Sequence, residues 1–173
     1  MIEVSGVVHT EAGMMAVWDA GRCAAVAPGE LTGDADIQAA VTAGHLVPLN
    51  IRADGAFQLT LRLGAELTTR EAEFRMLSAE PYLLEVTGEV RYGGIEHVGG
   101  DTGEPSLTPP PGRYQAFAHI IDWAAEPGSR DAEGHPAEHA LSDFVVLLEP
   151  EPGTPPAYRT DLLTFGEPQA SAR

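Results

Sequence analysis

His135-Pro-Ala-Glu-His139 carries the spelling H-x-x-E-H of an inverted zinc-peptidase motif. Such chemistry needs two imidazoles at i and i+4 on one helix face to hold the metal, with the glutamate beside them as general base. The surroundings point the other way. Gly134 precedes the string, Pro136 interrupts it, and barely two turns of helix are available. His135 and His139 therefore stand as a metal-binding candidate set inside what reads as a polar loop.

His119 is the second candidate, in the run Leu107-Thr-Pro-Pro-Pro-Gly-Arg-Tyr-Gln-Ala-Phe-Ala-His-Ile-Ile-Asp-Trp123. Alternation puts Gln115, Phe117, His119, Ile121 and Trp123 on one face, with Tyr114, Ala116, Ala118 and Ile120 on the other. An imidazole in such a face ordinarily makes one hydrogen bond and packs its ring; a catalytic role requires an open cavity and a neighbouring acid.

The remaining nucleophile motifs fail. No serine sits in G-x-S-x-G, and Cys23 is the single cysteine, which excludes a CxxC site and an intrachain disulfide. A small core-filling role suits it. Gly93-Gly94 and Gly99-Gly100-Asp-Thr-Gly103 spell neither a P-loop nor a dinucleotide fingerprint, and a single Asp-Thr-Gly lacks the apolar flanks of an aspartic protease. No cofactor is indicated, and an enzyme is the less favoured reading.

What the chain has in abundance is negative charge. Its 26 acidic residues face 10 basic ones, for a formal net charge of −16, so nucleic acid and anionic membranes are disfavoured partners. Every basic residue is arginine, which removes Schiff-base and other lysine chemistry. Residues 92 to 151 hold 11 acids against Arg113 and Arg130 alone. Such an excess serves solubility, or forms a face that docks on a basic protein. Asp101, Glu104, Glu126, Asp131 and Glu133, all in the long loops, are the candidate partner-binding residues. A calcium site lacks EF-hand spacing. With no signal-peptide pattern and no long apolar run, the expected location is the cytoplasm; the oligomeric state is left open.

Elements of period two must position these residues. Short apolar runs at 2 to 9 and 14 to 18 read as a strand pair, followed by a short strand at 23 to 27. The period changes over 34 to 44, where Asp34 caps, Ile37, Ala40 and Val41 share a face and Gly44 stops one short helix. Pro48 marks 45 to 51 as an edge or bulged strand. Asp54-Gly55 signals a hairpin turn, and Ala56 to Leu63 alternates Phe57, Leu59, Leu61 and Leu63 inward with Gln58, Thr60 and Arg62 outward. Strands at 73 to 77 and 82 to 92, the latter bulged at Gly88, precede a loop at 93 to 112. The His119 strand and the doubly apolar Asp143 to Glu151 should pair across a second loop at 124 to 142. The tail holds a weak strand at 158 to 165 and a disordered end at 169 to 173.

This pattern predicts a mainly β protein: one antiparallel sandwich, or flattened barrel, over residues 1 to 150, with a Pro-rich extension from 151 to 173. The order Val17-Trp-Asp19, a helix closing on Ala43-Gly44, an Asp-Gly turn, AFQLTLRL and Pro110-Pro-Gly-Arg-Tyr114 resembles the competence protein J family over residues 1 to 150. The resemblance implies a β-sandwich without catalytic residues and a role like that of the family's namesake, an inhibitor of a DNA-entry nuclease. The enlarged 124 to 142 loop and the Pro-rich tail depart from that pattern. The leading expectation is an acidic inhibitor or immunity-like partner of a basic protein such as a nuclease. The alternative is a small-ligand or metal-binding barrel, hydrolytic in one version, using His119 or His135 and His139.

Overall fold

The computed structural model describes residues 2–165. Nine strands and two α-helices follow one another as β1 (Ile2–Thr10), β2 (Met14–Asp19), α1 (Asp34–Thr42), β3 (Leu46–Asn50), β4 (Gly55–Leu63), α2 (Thr69–Glu73), β5 (Arg75–Ser78), β6 (Tyr82–Val86), β7 (Val90–Gly94), β8 (Gly112–Ile121) and β9 (Phe144–Pro150). The protein is mainly β, as the period-two pattern requires, and it forms two layers rather than a closed barrel. The larger sheet runs β1-β4-β9-β8-β5, with β6 also paired to β8; the smaller runs β3-β2-β7.

Several pairings differ from the sequence expectation for one shared reason: short turns here carry the chain from sheet to sheet. β1 pairs with β4 and β2 pairs with β3 and β7, so the first two strands lie in different sheets. Asp54-Gly55 likewise joins β3 to β4 across the layers, and the turn at Gly88 separates β6 from β7 in the same way. Residues 23 to 27 form turns instead of a strand. The large sheet is mixed, because β9 runs parallel to β4 while pairing antiparallel with β8. A parallel pair needs a long crossover, and here β4 and β9 are joined through β5 to β8.

β9 is apolar on both faces because both are covered. Phe144, Val146 and Leu148 enter the main core between the sheets; Val145 and Leu147 join Ile121, Phe117, Leu67, Phe74 and Leu141 in a second cluster. That second cluster is roofed by the α2 segment and the 122 to 143 loop, which is why the alternation along β4 misleads. Thr60 and Arg62 point away from the main core as expected, yet both are buried. α2 was not anticipated, although Thr68-x-x-Glu71 forms a complete capping box at its start.

The described part of the tail packs down. Phe165 is fully buried, with its ring edge-on to Phe144 at 6.2 Å, a burial that contributes about 2 kcal/mol. Arg159 N–H donates to the Pro81 carbonyl, and the Tyr82 hydroxyl donates to the carbonyl of Asp161. The disordered end expected at 169 to 173 lies outside the described residues.

Candidate functional site

The alternation of β8 is as the sequence requires: Ala116, Ala118 and Ile120 line the main core, and Phe117 and Ile121 line the second cluster. His119 lies on the second face, 7% exposed, and pairs in register with Ser78 of β5. Its Nδ1 is 2.8 Å from Ser78 Oγ. Burial, reinforced by the Arg75 charge and opposed by Glu71, pushes the imidazole down to about 4. It is therefore neutral near pH 7, with a hydroxyl rather than an acid as its hydrogen-bond partner. This geometry fits a ring that ties the four-residue β5 to the sheet.

His135 and His139 do not share a helix face. Residues 129 to 137 form a small hairpin in which Asp131 N–H donates to the His135 carbonyl and Ala137 N–H to the Ser129 carbonyl; Arg130 bridges to Pro136. Gly134 has a φ of +88°, which an extended turn tolerates and a helix does not. Asp131 Oδ1 accepts from the N–H groups of Glu133 and His135, fixing the tip. The His135 ring stays exposed, 3.8 Å from Asp131 Oδ2, while the His139 carbonyl accepts from Arg70. Among the described residues, no three His, Cys, Asp or Glu side chains gather to hold a metal.

The five candidate partner-binding acids divide between two ordered loops. Asp101 and Glu104 lie in the loop after β7, which is fastened by two backbone bonds between Val90 and Leu107 and by Arg91 donating to the Gly100 carbonyl. Asp101 is exposed and accepts from Gly103 N–H. Glu104 is half-buried over β1, its carboxylate and the Tyr92 hydroxyl filling the space where Gly6 lacks a side chain. Asp131 and Glu133 stand at the tip of the 129 to 137 hairpin, and Glu133 is exposed. Glu126 is already engaged: Arg70 donates to both its oxygens at 2.7 Å, holding the carboxyl below its usual range.

Three other acids of the 92 to 151 stretch are structural. Asp143 accepts from Gln58 N–H and from the Trp123 indole; Glu151 accepts from Arg113 and Tyr158; Glu96 accepts from Thr10 and Glu11 N–H. Sequence reasoning missed two buried polar centres altogether. Asp19 is fully buried and gathers the N–H groups of Arg22 and Thr87 and the Thr87 hydroxyl. Arg62 is held by Glu71 and Glu3. The capping-box spelling was the available signal for the second; the first had none. Cys23 is buried with its Sγ 3.7 Å from the His45 carbonyl, and burial together with the nearby Asp19 charge pushes the thiol up to about 11.

No family model matches the chain, and no curated protein matches it by sequence. Two solved structures share its architecture. One is described as crocagin biosynthetic gene J, with a TM-score of 0.61 at 22% identity, covering 88% of this chain and all of that one. The other is ComJ from Bacillus subtilis, described as an inhibitor of the DNA-degrading activity of NucA, with a TM-score of 0.51 at 11% identity, covering 84% of this chain and 94% of that one. The fold is ComJ-like. At these identities the likeness speaks for the fold alone. Among the described residues, no helix is long and apolar enough to cross a membrane.

Proposed function

We propose that this protein is a non-enzymatic inhibitor that docks through acidic loops on a basic protein, with a nuclease as the favoured partner class. The observation that carries the reading is the presentation of Asp101, Asp131 and Glu133 on loops fixed by their own backbone bonds. Charges held in place before encounter lose little entropy on docking and steer a cationic partner at long range. Glu104 sits at the margin of the first loop and adds to its field. Glu126 contributes less, because Arg70 neutralises it. The likeness to ComJ supplies the partner class.

The test is inhibition of DNA cleavage by a panel of basic nucleases, measured at low and high salt. The expected result is inhibition of at least one, weakened by salt and weakened about tenfold or more by the triple variant Asp101→Asn, Asp131→Asn, Glu133→Gln. Asparagine at 131 retains the Oδ1 acceptor that fixes the hairpin. Inhibition that ignores both salt and the variant would refute the acidic-loop reading.

A further inference from the structure

We infer that Arg130 is the positioning residue of the acidic hairpin at 129 to 137: through Trp123 and Asp143 it fixes, against β4, the direction in which Asp131 and Glu133 meet a basic partner. The inference rests on the docking reading above and adds what aims the charges. Within the hairpin, Asp131 N–H donates to the His135 carbonyl, Ala137 N–H donates to the Ser129 carbonyl, and Asp131 Oδ1 holds the turn by accepting from Glu133 and His135 N–H. Those bonds fix the hairpin's shape. They leave its angle to the sheets to whatever joins it to the body.

A line of side chains makes that joint. Gln58 N–H of β4 donates to Asp143 Oδ2 at 2.8 Å, the Trp123 indole N–H donates to Asp143 Oδ1 at 2.8 Å, and the Arg130 guanidinium lies over the indole with its Cζ 5.1 Å from the ring centroid. From there Arg130 Nη1 donates at 2.9 Å to the carbonyl of Gly134, in the turn between Glu133 and His135. Trp123 is 3% exposed, so its ring is a fixed platform. A guanidinium suits the place because its flat face stacks on an indole while its N–H groups donate in the plane; an ammonium has no such face. By charge alone Arg130 is misplaced. It is one of two basic residues in the acid-rich stretch from 92 to 151, and its charge opposes the approach of a cationic partner. Its contacts account for it by geometry instead.

Two measurements on the full chain test this. In the free protein, backbone amide relaxation should show residues 131 to 135 well ordered, and their order parameters should fall in Arg130→Gln and in Arg130→Lys alike. The melting temperature should change little, because the partly exposed Arg130 side chain lies outside both sheets. Unchanged order parameters overturn the inference. The second measurement is stopped-flow binding to a basic nuclease that the wild-type chain inhibits. Arg130→Gln makes the tip more negative, so a charge role predicts tighter binding for it and wild-type behaviour for Arg130→Lys. Positioning predicts association as fast or faster and dissociation about fivefold faster or more in both variants. Tighter binding by Arg130→Gln, or a lysine variant that dissociates like the wild type, overturns the inference. If no nuclease of the panel is inhibited, the docking reading fails, and the relaxation result alone decides whether Arg130 aims the hairpin.

Discussion

Arg62 of β4 and Glu71 of α2 meet as a bidentate pair beneath the roof of the larger sheet, with Nη1 to Oε2 at 2.7 Å and Nη2 to Oε1 at 2.8 Å. Both residues are buried, and Glu3 of β1 adds a third contact at 2.7 Å to Nε. The same Glu71 closes the capping box by accepting from Thr68 N–H. One ion pair thus joins the start of a helix to two strands. Burial alone would raise the Glu71 carboxyl, but the hydrogen bonds from Arg62 and Thr68 outweigh it and hold the group below its ordinary range.

Glu71→Ala leaves a buried guanidinium with Glu3 as its remaining carboxylate and removes half of the capping box. Breaking a buried pair costs about 3 kcal/mol or more, and denaturant unfolding should show it. Replacing both partners, Arg62→Met with Glu71→Leu, should recover much of the loss, since no charge is then stranded. Because the folded Glu71 is shifted down, its contribution is present above the unfolded carboxyl value near about 4.3 and disappears as pH falls through the lower folded value. The double replacement should be the less acid-sensitive protein.

His119 gives a second, separable pH effect. Its pKa falls to about 4 on folding, so the unfolded chain binds the proton more readily. Stability is complete above the unfolded value near about 6.5 and declines as pH drops from there to about 4, a loss of roughly 3 kcal/mol. Below that the imidazole protonates in the folded state and the slope ends. His119→Gln should flatten the stability curve over this window while leaving the proposed nuclease inhibition at neutral pH unchanged. A loss of inhibition by a correctly folded variant would reopen a functional role for the residue.

These two centres show where the sequence was legible. Period two located β4 and β8 and divided the faces of β8 correctly, because side-chain direction in a strand is a local property. Pro48 marked the β3 edge for the same reason. Whether the second face met water was not local. Arg62 and His119 are buried by α2, β5 and the 122 to 143 loop, which lie outside the strands that carry them. Strand partnership was less legible still. Short turns such as Asp54-Gly55 spell hairpins, yet here they change sheets, and only the packing of both layers decides between the two outcomes. Of the candidate site, the loop acids were visible as composition. That Arg70 would occupy Glu126 depended on α2 folding against the loop.

Cys23 should be inert in the native protein. The thiol is buried against the His45 carbonyl and its pKa is pushed up to about 11, so little thiolate exists at neutral pH and reagents cannot reach it. Mass spectrometry after iodoacetamide treatment should find the folded chain unmodified and the denatured chain carrying one adduct. Modification at native pH at the rate of a free thiol would mean that the turn segment after β2 opens readily.

The two acids at position 126 and position 133 offer the sharpest contrast within the docking proposal. Glu126 is satisfied twice by Arg70, whereas Glu133 stands exposed at a hairpin tip fixed by Asp131. A carboxylate already paired with a guanidinium gives up that partner to bind a new one, so it adds little net attraction. Glu133→Gln should therefore slow association with a basic nuclease at low salt, and the difference should fade as salt rises. Replacing the neutral pair together, Arg70→Gln with Glu126→Gln, should barely alter the association rate, because the pair presents no net charge to a partner. Stopped-flow binding at two ionic strengths measures both. Equal effects of Glu133→Gln and of the double replacement would show that local pairing does not set which loop acids a partner reads.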